Sequence, residues 1–114
     1  MTYSFEEFRI GHLVRTAAVW TRLSELGTTE ESLVNFDFSF SAPSKAAVEA
    51  LKETLSTYPI EVQSRGFLKK RYTVTGSTGA IAWNEAQLLK WVDYLIQAGQ
   101  DANCKFEGCG ANAP

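Results

Sequence analysis

Histidine occurs once in this chain, methionine once, cysteine twice and proline three times. With His12 alone, and Cys104 and Cys109 far downstream, donors for a four-ligand zinc site are too few, so no metal is expected. The same scarcity leaves His12 without a Ser-His or Cys-His partner nearby, and a partly exposed helix histidine is the expectation. On a regular strand, Cys104 and Cys109 would face opposite sides, so two thiols in a reducing compartment are expected rather than a disulfide. No apolar run approaches the ~20 residues of a membrane span. An excess of either charge is also missing. Eleven basic against thirteen acidic side chains leave a net charge of −2, which disfavours a protein that holds nucleic acid mainly through its phosphates. The segment MTYSFEEFRIGH carries Glu6 and Glu7 and no basic start before an apolar core, so it does not read as a secretory signal. The cytosol is the expected location.

What the chain does have is pattern. Val34, Phe36, Phe38 and Phe40 alternate with Asn35, Asp37, Ser39 and Ser41, the period of a strand with one oily and one wet face. Aliphatic, aromatic and cysteine residues make up 45% and charged residues 21%, enough for one domain to fold without staples. Ser4 and Glu7 fit a capping box that opens a helix running to about Leu26 and ending at Gly27, with Gly11 a point where it could break. The Phe-rich strand follows over about 33–41, then a helix over about 44–57 with Ala47, Val48, Leu51 and Leu55 as its inner stripe. Pro59 begins a strand over about 59–64, as suits a sheet edge. Arg65-Gly66 turns into a third strand over about 67–76, with Leu68, Tyr72 and Val74 on one face. Gly76-Ser-Thr-Gly79 reads as a loop. Asn84 and Gln87 cap a helix over about 85–98 that Gly99 should end, and a short strand over about 104–108 closes the series.

The order β-α-β-β-α-β predicts an α+β ferredoxin-like sandwich, an antiparallel sheet of spatial order 4-1-3-2 with both helices on one face and an extra N-terminal helix. Residues 1–30 form the N-terminal helical segment and 31–111 the ferredoxin-like domain. The other sheet face then stays wet.

No constellation of groups proposes catalysis. Glu6-Glu7 and Glu30-Glu31 lie near a helix start or in a connector, where dipole and solvation account for them. The Gly76–Gly79 segment lacks the lysine of a phosphate-binding loop. Arg65, Gly66, Phe67 and Tyr72 match the third-strand pattern of an RNA-recognition module, which shares this element order. Lys69 stands where a second stacking ring is needed, and Asn35, Asp37 and Ser39 fill the first strand's open face. RNA binding through the third strand is therefore the alternative reading, and the first is a protein-binding sheet whose contacts are Asp37, Phe67, Lys69 and Arg71. Trp20, Trp83 and Trp91 fit either an interface or packing between the first and third helices.

Several stretches together carry a family resemblance: FDFSFSAPSKAAVEALKETL, then YTVTG, LLKWVDYLIQAGQDANC and FEGCGA. Over residues 34–111 the chain resembles the family of the regulator of ribonuclease E activity B. That family's last strand reads aromatic-Asp-Gly-Trp; here Phe106 and Gly108 are kept, with Glu107 for Asp and Cys109 for Trp. The resemblance implies a ferredoxin-like fold, no enzymatic activity, no cofactor, a cytoplasmic location and a protein partner, which for some members is ribonuclease E. It fits equally a protein of this fold with another partner.

Overall fold

Phenylalanines at every second position of one strand set the architecture. In the computed structural model, which describes residues 4–66 and 71–112, the order is α1 (Phe5–Glu25), β1 (Leu33–Ala42), α2 (Lys45–Thr54), β2 (Ile60–Arg65), β3 (Arg71–Ala82), α3 (Glu85–Asp101) and β4 (Lys105–Asn112). The strands form one antiparallel sheet ordered β2-β3-β1-β4, the expected 4-1-3-2 read from its other edge. The fold is the ferredoxin-like α+β sandwich with an added N-terminal helix.

Burial along β1 alternates as the residue types do, and Phe36, Phe38 and Phe40 are fully enclosed. Their rings meet edge to face: Phe38 with Phe40 at 6.0 Å between centroids and Phe40 with Phe106 at 5.4 Å. Such tilted contacts set the positive rim of one ring against the negative face of the next. Leu51 of α2, Leu55 just after it, and Leu88, Val92, Leu95 and Ile96 of α3 close over them. Ser4, Ser44 and Asn84 cap the three helices, accepting hydrogen bonds from the backbone N–H of Glu7, Ala47 and Gln87.

Gly11 does not interrupt α1, which continues the helical layer past α3 and over β4. Arg9 fixes it there, donating from Nε to Asp93 Oδ1 at 2.6 Å and from Nη2 to Oδ2 at 3.0 Å. This two-pronged hydrogen bond holds the Asp93 carboxyl below its ordinary range. Trp83 is buried with its Nε1–H donated to the Val34 carbonyl, and Trp91 gives its own to the Tyr58 hydroxyl, so these two rings pack within the fold.

Four expectations are corrected. Gly76–Gly79 is no loop but part of β3, which runs to Ala82. Gly76 pairs with Phe38, where a Cβ would come within 2.5 Å of Phe38 Cζ. Thr78 and Gly79 then form a bulge: Phe36 N–H donates to Thr78 Oγ1, Gly79 N–H donates to Asn35 Oδ1, and Gly79 takes φ +79°. Gly99 does not end α3, which continues to Asp101 with Asn103 at φ 60° just beyond. β4 reaches Asn112, and its register shifts at Glu107 and Gly108, so Cys109 pairs with Phe38 and shares the helix-facing side with Phe106. His12, lastly, is buried rather than partly exposed.

Candidate functional site

The sheet face away from the helices is a field of short polar side chains. Asp37 pairs across β1–β3 with Ser77, Ser39 with Thr75 and Ser41 with Thr73, and Glu61 of β2 sits opposite Thr75. Ser41 Oγ donates to Glu107 Oε1 at 2.8 Å. On the other side of β1, Asp37 lies over Gly110, where even a Cβ would stand 3.3 Å from its Oδ1. A hollow of about 580 Å³ opens here, with Asp37, Ser39, Glu61, Thr75 and Ser77 among its walls.

Of the four residues expected to make contacts, two lie among the described residues, and they are not together. Asp37 stands on the β1 wall of the hollow. Arg71 is exposed at the far end of β3, six positions from Ser77, or about 20 Å at the rise of an extended strand. Phe67 and Lys69 lie outside the described residues. Tyr72 pairs with buried Ala42, so it belongs to the helix-facing side rather than to a stacking platform. The described part of the open face presents hydroxyls, amides and carboxylates, with the cations Arg71 and Lys105 toward its end, and no ring. It can exchange hydrogen bonds with a polar protein surface, but it offers bases nothing to stack on.

A second cluster lies where α1 meets β4. His12 is only 8% exposed, and its ring sits between Phe8 and Phe106, at 4.6 and 4.9 Å. Cys109 lines the same crevice with Arg15, Thr16 and Glu107, a neighbourhood of histidine and cysteine that sequence spacing hid. The pair is not poised for nucleophilic chemistry. Burial pushes the Cys109 thiol up to about 11, with Thr16 pulling the other way, so the thiolate is scarce at neutral pH. Cys104 is also buried, its thiol raised by burial and donated to the Ala47 carbonyl. Both thiols are free.

Burial, aided by Arg15 and Lys105 against the opposing pull of Glu107 and the Phe106 backbone, lowers the His12 pKa from 6.5. The unfolded chain therefore binds this proton more readily than the native one. The contribution to stability is complete above 6.5 and is lost as pH falls from there through the folded value. Asp93 belongs to a separate window, its contribution being lost only as pH falls below 3.8. Unfolding free energies from urea titrations between about pH 7.5 and 5 should decline for the native chain, with His12 contributing a slope no steeper than about 1.4 kcal/mol per pH unit. His12→Phe keeps a ring between Phe8 and Phe106 and should flatten that decline. An equal slope in both proteins contradicts the assignment.

On the helix-bearing side a third recess, about 380 Å³, lies between the last residues of β3 and α3, with Tyr58 among its walls. Sequence reading assigned it nothing. The signal available was Tyr94, an aromatic one turn after Lys90 and off the inner stripe of its helix.

Among the described residues no helix is long and apolar enough to cross a membrane, and no group of three or more His, Cys, Asp or Glu side chains could hold a metal ion. Neither a protein-family model nor a curated protein matches the chain.

Proposed function

We propose that this chain is a non-enzymatic regulatory protein that works by protein–protein contact through its open sheet face, and that its partner is a ribonuclease of the ribonuclease E type. The observation that carries the reading is the uncovered face around Asp37, rich in hydrogen-bonding groups and free of rings in its described part. The identity of the partner rests on the resemblance of residues 34–111 to the regulator of ribonuclease E activity B.

Adding the purified protein to a ribonuclease E cleavage reaction should slow loss of a fluorescent RNA substrate, and the two proteins should co-elute from a sizing column. Asp37→Lys reverses a charge on the β1 wall of the hollow without touching the core. It should weaken inhibition about tenfold or more. Full-rate cleavage in the presence of excess protein, with no complex on the column, rules out this partner. Inhibition that Asp37→Lys leaves untouched moves the contact off this face.

A further inference from the structure

The geometry points to a small-molecule site in the recess between β3 and α3, built for an apolar ring or branched chain that carries a carboxylate. This site lies on the helix-bearing side, so it stands independently of the ribonuclease reading.

The recess exists because the helices leave part of the sheet uncovered. Beyond the Thr78–Gly79 bulge, β3 continues with Ile81 paired to buried Val34, hence on the helix-facing side. Ile81 is nevertheless 40% exposed. α3 crosses beside it and presents Trp91 and Tyr94, the latter 47% exposed. Trp83 and Trp91 form the inner wall, their rings 5.2 Å apart. At about 380 Å³ the space falls in the size class of small-ligand pockets, which combine aromatic walls with a few placed polar groups.

The one charged group and the Tyr58 hydroxyl proton among them favour an anion. Lys90 is the only charged side chain on the wall, and among the described residues it pairs with no carboxylate. Tyr58 accepts the Trp91 Nε1–H at 3.0 Å, so its oxygen is engaged as acceptor and its own O–H proton is left to donate. The Gln87 amide at the rim adds further N–H groups. A neutral hydrocarbon offers the exposed Lys90 ammonium and the Tyr58 phenol proton nothing to bond, whereas a carboxylate accepts from both. Its apolar body would meanwhile cover Ile81, Trp91 and Tyr94.

Phenylacetate and its neutral counterpart phenylacetamide are suitable probes, read by tryptophan fluorescence because Trp83 and Trp91 line the site. Phenylacetate should give a saturable change and bind more tightly than phenylacetamide. Lys90→Gln, an exposed change on α3, should reduce phenylacetate affinity about five- to tenfold and leave phenylacetamide unaffected. Ile81→Glu, which brings a carboxylate to the recess, should abolish phenylacetate binding; a thermal melt confirms that this variant is folded. A non-saturating response, equal affinity for the two probes in the native protein, or a Lys90→Gln variant that binds phenylacetate as before overturns the assignment.

Discussion

Phe38→Ala should lower the unfolding free energy by about 3–5 kcal/mol, a large share of the roughly 5–15 kcal/mol that a domain of this kind has in total. Phe38 is the hub of the core. Its ring meets Phe40 at 6.0 Å, Tyr58 at 5.5 Å and Trp91 at 6.0 Å, joining β1, the segment after α2, and α3. On its β3 side the ring covers Gly76, where no side chain is present to move into a vacated space. Truncation therefore leaves a cavity that collapse cannot fill, the condition under which large-to-small changes cost most. Phe38→Leu keeps much of the volume and should cost about half as much. Urea titration followed by tryptophan fluorescence gives the comparison, with an unchanged slope and a shifted midpoint as the expected form. A loss under about 1 kcal/mol in Phe38→Ala would mean that the ring is not packed as described.

Why the fold was legible and the recesses were not follows from how each is encoded. β1 announces itself because burial on one face selects Phe at positions 36, 38 and 40, and a period of two survives whatever else the chain does. The helix starts were equally readable, since Ser4, Ser44 and Asn84 act on N–H groups three residues away and need no tertiary information. Gly76–Gly79 was misread because a cluster of Gly, Ser and Thr is the local signature of a loop, while the reason for Gly76 lies 38 positions back in Phe38. Cys109 failed similarly, for one extra residue at the β4 register shift inverts the alternation beyond it. The open face, with Asp37 and Glu61 both on it, could be assigned from alternation and strand order, but the meeting of Lys90 with Tyr58 depends on how α3 sits on the sheet. No local pattern carries that placement.

Gly99 offers the sharper test, because propensity and packing predict opposite signs. In an exposed helix interior, Gly→Ala stabilises by about 0.5–1 kcal/mol. Gly11 in α1 is half-buried but has room: an added Cβ would meet only the Arg15 side chain, at 3.5 Å, and Gly11→Ala should show this gain. At Gly99 the same methyl would stand 2.8 Å from Phe40 Cε1 and 2.9 Å from the Cys104 carbonyl oxygen. The ring could tilt, though only within a packed core. The carbonyl cannot easily retreat, since Cys104 N–H donates back to the Gly99 carbonyl at 2.8 Å and holds the chain against the end of α3. Overpacking of this kind costs about 1–3 kcal/mol, which exceeds the propensity gain. Gly99→Ala should therefore destabilise by about 1–2 kcal/mol while Gly11→Ala stabilises, two identical chemical changes of opposite effect. Adding Phe40→Leu removes one of the two obstructions, so the double variant should lose less than the sum of the single changes. If Gly99→Ala instead gains stability as Gly11→Ala does, α3 does not approach β1 this closely, and the covering of the Phe-rich strand must be redrawn.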